Sequence, residues 1–538
     1  MTMTGPKPLA QSDDPNTEIG QDNLHWPYQG ETLDELLAAR PKVSPVPAPD
    51  PDEVVVRVEA ASICSSDIKV IRMGERHPLF VATGTTPAKT VLGHEVCLRV
   101  VAAGTEMSAL YPEGLRLGLQ PAMKIDGKRA IIGMDLPGGF AQYIVLDGRA
   151  LGPAAPYVFE VPESLTAAEI ALLEPYGCVE RAWCPNVRQG LDPTGTALIV
   201  AGLNAGDFHA SRPLDWAGGV TCVGAVPEDL LAAPAPPSVA LGELGETSFD
   251  DIIALGDLDA DTLTDLAARL ATGGMLLQAR HTASEGVSRV DPARVHYDSL
   301  AFTGTNQTDV LTALAPARQR FDLRKGGTAV VYGAGGAMGR IHVHRLLQMH
   351  DGPKVVIATS RKGKRLDDLR ADFVPLAQAN HRTLMVVEDG ALETAAAEHA
   401  PDGFDDITVV APLAQAVERA AGLLAPDGLL SVFAGMPYGE TIAFDLASIA
   451  TGGLRLTGST GCTTGDMQDV LLRVTTGELS LLDNLKATVG LRALPEALRA
   501  VTEGAVSGKI VVYPHAPDRP LVPLTGPLTL SDEAPLRG

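Results

Sequence analysis

The chain has 538 residues, 45% hydrophobic and 20% charged, enough for cores in three or four units at ~150 residues each. A formal net charge of −23 argues against a nucleic-acid partner, because phosphate binding needs a basic surface. No apolar stretch reaches the ~20 residues that span a bilayer, the polar N-terminus has no apolar h-region, and six cysteines make no disulfide framework; the expected compartment is the cytoplasm.

Residues 1–25, rich in Pro, Asp, Asn and Gln, read as a disordered leader. From 26 to 190 the pattern is that of a compact β-rich domain. Val54-Val55-Val56-Arg57-Val58 is strand-like, and short strands with Gly and Pro breaks continue to about Val145. This stretch holds Cys64, then Ser66 and Asp67, then the triplet Gly93-His94-Glu95. Helical periodicity over Thr166–Trp183 carries Glu174, which can reach back to the β-rich domain.

From Thr196 strands alternate with helical segments, the pattern of a parallel sheet, and this happens twice, over 191–320 and 321–485. Phe249-Asp250-Asp251-Ile252 matches Phe404-Asp405-Asp406-Ile407. Leu270–Leu276 matches Leu424–Leu430, and Phe302–Thr305 matches Leu456–Ser459, all at offsets of 154 or 155 positions. Thr196–Val200 matches Thr328–Tyr332 at 132, so the first copy is about 22 residues shorter before its Phe-Asp-Asp-Ile. The reading is an internal duplication. Residues 486–538 then return to the β-rich domain and end in a tail.

The copies differ where phosphate would sit. The second has Gly333, Gly335, Gly336, Met338 and Gly339 between an apolar strand and a helix. Glycines there let the backbone approach a pyrophosphate, whose charge the helix N-terminus stabilises. The first has Asp207 in that place, a carboxylate that would repel the diphosphate or merely cap a helix. After the next strand of the second copy come Ser360, Arg361 and Arg365 rather than an acid. A hydroxyl with cations suits a 2′-phosphate, so NADP(H) is favoured over NAD(H).

A thiolate, an imidazole and a carboxylate from Cys64, His94 and Glu174 would suit Zn²⁺ and leave a coordination position open. Together, Cys64-Ser65-Ser66-Asp67, Gly93-His94-Glu95, Glu174-Pro175 and the late glycine loop resemble the zinc-dependent medium-chain dehydrogenase/reductases, over about 50–190 and 325–515. Within them the polyol and sugar dehydrogenases look most similar. Gly403–Ile407, Leu424–Gly428 and Phe433-Ala434-Gly435 resemble the L-sorbose-1-phosphate reductase group.

The resemblance implies an α/β fold: a GroES-like β-rich catalytic domain and two doubly wound, Rossmann-type parallel sheets. It implies a hydride-transferring oxidoreductase acting on a polyol, sugar or sugar phosphate. Zinc would rest on Cys64, His94 and Glu174, with Glu95 a ligand or an outer partner. Ser66 would relay the proton, Asp67 would orient the site, and Gly435 would line the cofactor. Between Gln120 and Gly139 there is no cysteine, so the four-cysteine lobe of many relatives is missing and a single, catalytic zinc is expected. Cys97 and Cys178 read as core residues, Cys178 as the one that lines the pocket. Lys69, Arg72 and Arg76 are candidates to hold a substrate phosphate, or form a solvated basic loop.

Two alternatives stand beside this reading, a zinc-free quinone-type reductase and a non-catalytic NADP-sensing or scaffold protein. The expected partners are a small-molecule substrate and, inside the chain, the other sheet. The edges around Val295–Thr305 and Gly453–Thr460 are expected to join as an intrachain pseudo-dimer. Oligomerisation through other surfaces stays open.

Overall fold

A computed structural model describes residues 18–538 apart from 78–79, 81–89, 126–127 and 153–156. Residues 1–17 of the expected leader lie outside the described residues. The chain divides into two compact units, residues 1–178 with 461–538, and residues 179–460.

The first unit is built on a strand of nine residues, Val54–Ser62, whose Val54, Val56, Val58 and Ala61 are buried in one apolar core with Val96, Leu98 and Val100. It pairs antiparallel with Glu95–Ala103 on one side and with Lys509–Tyr513 and Tyr143–Leu146 elsewhere along its length. The sheet extends through Arg116–Leu119 to Val158–Glu160, and beyond Lys509–Tyr513 through Leu485–Gly490 to Val522–Pro523. Chain from the far C-terminal end therefore completes a sheet begun near residue 54. The expectation of disorder up to residue 25 is corrected here. Asp22–His25 is a strand paired antiparallel with Lys42–Pro45, and Leu24 and Trp26 are buried. Trp26 donates its indole N–H to the Leu491 carbonyl, 465 positions on, a partner that composition cannot reveal.

The expected helix over Thr166–Trp183 is two helices, Ala167–Ala171 and Leu173–Arg181. Thr166 opens the first with a capping box to Glu169. The break has a cause in Pro175, which has no N–H to donate back to the carbonyl of Ala171.

The second unit holds two parallel sheets. One has five strands in the order Val220–Val223, Ala197–Ala201, Phe249–Leu255, Leu270–Ala279, Ala301–Thr305. The other has six, in the order Thr383–Glu388, Val355–Ser360, Thr328–Tyr332, Phe404–Val409, Leu424–Val432, Arg455–Gly458. The shared five-strand order is the same. Each Phe-Asp-Asp-Ile strand carries a register shift at the same place, Phe249/Asp251 and Phe404/Asp406. Leu198, Val200 and Ile252 of the first sheet and Val330, Ile407 and Leu430 of the second belong to one continuous apolar core.

The two edges meet differently from a continued ladder. Among the described residues, Ala301–Thr305 and Arg455–Gly458 close their own sheets and are not hydrogen-bonded to each other. The contact is an exchange instead. Gly304 lies against Ala450 of the helix Ala447–Thr451, and Gly458 lies against Val295 and His296 of the helix Pro292–Tyr297. A two-stranded antiparallel ribbon, Arg289↔Ala443 and Val290↔Ile442, links the halves. The backbone of each edge glycine sits where a side chain would collide, so the helices crowd over the edges and keep them from pairing directly.

Candidate functional site

The register of the first unit brings the expected site together. Ser62 faces Glu95 across the antiparallel pair, so Cys64, just past one strand, meets His94, just before the other. Gly93 makes this turn possible. Its φ is +92°, and a Cβ there would lie 2.8 Å from the Phe140 ring. Asp67 ties the two segments: its carboxylate accepts from the Cys64 N–H at 2.9 Å and the Gly93 N–H at 3.3 Å. Asp67 Oδ1 also lies 3.5 Å from His94 Nδ1, with no solvent exposure of the carboxylate. The Ser66 hydroxyl is 3.2 Å from His94 Nε2.

Ligand atoms of Cys64, His94 and Glu95 all lie within 4.8 Å of one another. A thiol, an imidazole and a carboxylate at this spacing fit zinc, and a buried carboxylate behind the imidazole is the usual outer support of a metal-binding His. Burial alone would lower the His94 value, but the charges of Asp67 and of a Cys64 thiolate outweigh it and hold it well above the usual imidazole range. Glu95 is fully buried and paired with Lys509, whose Nζ lies 2.6 Å from Oε2 and 2.7 Å from Oε1 and also donates to the Ile63 carbonyl. Burial opposes the Lys509 charge, and Glu95, Cys64 and Glu174 more than compensate.

Glu174 is not in that cluster. It sits in a second group with Cys178 and Cys462, again with ligand atoms within 4.8 Å of one another. Its neighbourhood still overlaps the first: burial pushes its carboxyl up, while the charge of His94 pulls it down and that of Glu95 raises it further. Cys178 is therefore at the site, and Cys97 is a core thiol against Glu59. Lys69 is partly covered, whereas Arg72, on the same helix Ser65–Met73, and Arg76, just past its end, are exposed. Lys509 and Cys462 were invisible to sequence reasoning. They lie 414 positions from Glu95 and 288 from Glu174, with no local motif to mark them.

In the second unit, Gly333–Gly336 links the strand Thr328–Tyr332 to the helix Ala337–Gln348, with Gly336 as its N-cap. Gly335 is the position that must be glycine. A Cβ there would lie 2.2 Å from Ser360 Oγ and 3.2 Å from Arg365 Cβ. The loop, the end of the next strand and the following helix thus converge on one spot. Around Gly336 the space is open, and Met338 sits in the first turn with its carbonyl accepting from His342 Nδ1. Burial and the neighbouring charge of Arg361 both depress Arg365, so two cations crowd each other beside Ser360. At Gly435 the hydroxyl of Tyr297 occupies the position a Cβ would take.

The corresponding turn of the first sheet is different. Ala197–Ala201 runs into Gly202 and then into three residues of 3-10 helix, Ala205–Asp207, after Asn204 at φ +62°. Phe208 stacks on His281 just beyond, with ring centroids 4.6 Å apart.

Residues 50–156 match the alcohol dehydrogenase GroES-like domain. Among curated proteins, the chain is 24% identical over 220 residues to a mannitol-1-phosphate 5-dehydrogenase of Aliivibrio fischeri, covering 40% of this chain and 51% of that protein. It is 26% identical over 168 residues to an L-sorbose 1-phosphate reductase of Klebsiella pneumoniae, covering 29% and 40%. The chain thus spans about half the length, or less, of these relatives. A crystal structure from Sinorhizobium meliloti 1021, described as a zinc-binding dehydrogenase bound to NADP, superposes with a TM-score of 0.52 at 16% identity, over 91% of this chain and 99% of that one. That likeness is one of fold.

A GroES-like domain bearing a Cys–His–Glu cluster, with a glycine-loop parallel sheet in the same chain, is an arrangement similar to that of the medium-chain dehydrogenase/reductases. The chain's curated matches include polyol-phosphate and sorbose-phosphate enzymes and several L-threonine 3-dehydrogenases. No described helix is long and apolar enough to cross a membrane.

Proposed function

We propose that the protein is a zinc-dependent oxidoreductase that moves a hydride between NADP(H) and the hydroxyl or carbonyl carbon of a polyol, sugar or sugar phosphate. The observation that carries this is the Cys64–His94–Glu95 cluster with Asp67 behind it. Cys64 and His94 would hold zinc with Glu95 or Glu174 as the acidic ligand. Bound there, zinc supplies a Lewis acid for the substrate oxygen, and the nicotinamide supplies or takes the hydride.

The chain's own groups do the rest. The Ser66 hydroxyl, in contact with His94, carries the substrate proton toward solvent. Asp67 fixes the His94 ring and the Cys64 segment and does not react. Lys509 neutralises Glu95, so that one negative charge fewer bears on the metal. The Gly333–Gly336 loop receives the pyrophosphate at the N-terminus of a 12-residue helix. Ser360, Arg361 and Arg365 receive the 2′-phosphate, which relieves the repulsion between the two guanidinium groups. The zinc-free and the non-catalytic readings have no observation in their favour. A panel of polyols, ketoses and their phosphates with NADPH and NADH tests the proposal. Zinc-dependent turnover with NADPH is expected; cofactor binding without turnover on any of them would count against it.

We infer further that residues 191–320 are a duplicated nucleotide-binding domain kept as an internal partner. The matched strand order, the twin register shifts and the reciprocal Gly304–Ala450 and Gly458–Val295 contacts support this. Sedimentation of the full chain tests it: pairing of copies through the second sheet's edge would contradict an edge already covered from within.

A further inference from the structure

The second unit holds a cavity that the reaction above does not use. It lies between the edge strands Ala301–Thr305 and Arg455–Gly458, at the first residues of each. The two halves supply its wall in equivalent pairs. Arg188 corresponds to Arg320 at 132 positions, and Met275 to Leu429 and Phe302 to Leu456 at 154. The ties behind the wall repeat as well: Asp251 pairs with Arg188, and Asp406 with Arg320.

The repeat is broken at two places, and both add positive charge. Where the first half has Asn186 and Ala301, the second has Arg318 and Arg455. Arg455 pairs with Asp427 at 2.6 Å. Arg318 makes no ion pair among the described residues; its guanidinium donates to the carbonyls of Gly304, Ile449 and Ala450. Burial depresses its pKa, and the more distant charge of Asp427 only partly opposes this. Of the four arginines on the wall, one is therefore a half-buried cation with no carboxylate of its own, an arrangement that costs stability unless an anion balances it.

Hydrogen-bond donors are left over as well. Arg188 Nη1, Arg320 Nε and Arg455 Nε are buried with no acceptor, and the Arg455 side chain is only 7% exposed. An unmade hydrogen bond on a buried charged group is expensive. The free space is about that of one water molecule, too small for a nucleotide or a phosphate ester. Much of the remaining wall is apolar, from Met275, Phe302, Leu429 and Leu456. A water molecule would satisfy donors but not the charge. A single weakly hydrated monovalent anion satisfies both, and gives up its own water readily to enter an apolar wall.

We propose that this cavity is a halide site, with chloride its natural occupant, held by the N–H groups of Arg188, Arg320 and Arg455 and balanced by the charge of Arg318. The ion ties the two sheets where their edge strands do not hydrogen-bond to each other. The proposal rests on this cavity and stands apart from the reaction.

The test uses the full-length protein in sodium methanesulfonate, whose anion is too large for the space, with bromide replacing it at constant ionic strength. The thermal unfolding temperature of wild type is expected to rise with the logarithm of bromide concentration, as for a ligand that binds the folded state alone. In Arg318→Gln the same rise should need about tenfold more bromide. That variant also loses carbonyl contacts, so Ala301→Leu is measured beside it. It keeps every arginine and fills the cavity, and it should abolish the response. Circular dichroism verifies that both fold. Crystals grown in bromide should show an anomalous peak between Arg188, Arg320 and Arg455. No rise in wild type, or an equal rise in both variants, would overturn the proposal. A bromide peak without a rise would mean an adventitious ion only, and a water in place of the peak would make the cavity a hydration site; either result overturns it. If neither variant folds, the wild-type titration and the anomalous peak still decide.

Discussion

After Thr328–Tyr332 the second parallel sheet turns through Gly333–Gly336 into a 12-residue helix. After Ala197–Ala201 the first turns through Gly202 and Leu203 into three residues of 3-10 helix ending at Asp207. The strands around those turns agree in order, in register shift and in the buried acid that follows each Phe-Asp, Asp251 in one and Asp406 in the other. What the two share is what packing requires: apolar strands in one core, and carboxylates that hold the segment before each sheet. What differs is the anion cradle, which contributes little to a core. A sheet can lose a phosphate loop at little cost to stability, and it then remains useful as a surface. The first sheet has its edge against the helix Ala447–Thr451, the position that the proposed internal partner would occupy.

The comparison can be broken by a charge in the working loop. Gly335→Asp would put a carboxylate where Ser360 Oγ already lies 2.2 Å from a Cβ, so dinucleotide binding should vanish by calorimetry while the fold persists. A dinucleotide bound against residues 201–207 instead would reverse the assignment of the two sheets.

The shared scaffold gives the next largest effect. Asp251 takes the Asp192 N–H, the Trp216 indole and Arg188, and Asp406 takes Arg320 and the Arg324 N–H. Asp251→Asn and Asp406→Asn should each destabilise the second unit by about 2–3 kcal/mol in denaturant titrations, since each leaves a guanidinium without its charge partner. A large loss for Asp406 and none for Asp251 would mean that the first sheet is dispensable.

Cofactor choice comes third. Arg361→Ala should weaken NADPH by about 1–3 kcal/mol and leave NADH nearly unchanged, because only the 2′-phosphate meets that guanidinium. Equal loss for both cofactors, or a wild-type preference for NADH, would retire the reading of Ser360, Arg361 and Arg365. The smallest effect is expected at Asp207, which is exposed: Asp207→Ala should change stability by less than about 0.5 kcal/mol and leave NADPH affinity unaltered.

Much of the site was legible because its pieces are local. Cys64, Ser66 and Asp67 fall in one helical turn, Gly93-His94-Glu95 is contiguous, and the glycine loop announces itself between an apolar strand and a helix. The difference between the two turns was legible for the same reason, from Asp207 against Gly335. What failed was long-range. Lys509 reaches Glu95 only because the last strands return to pair with Val54–Ser62, and no spacing rule spans that distance. Cys462 is equally remote from Glu174. The strand Asp22–His25 was hidden by polar neighbours, since what orders it is its pairing with Lys42–Pro45 and the burial of Trp26. The sheet edges were expected to join edge to edge because periodicity shows which strands are outermost but not which helices cover them.

The central claim is that Cys64 and His94 hold a zinc on which turnover depends. Zinc content and NADPH-linked turnover of wild type and His94→Ala, measured side by side with the folded state verified by circular dichroism, test it most directly. The account predicts stoichiometric loss of the zinc at this position and activity reduced to background in a folded variant. Undiminished turnover by His94→Ala freed of metal would contradict it.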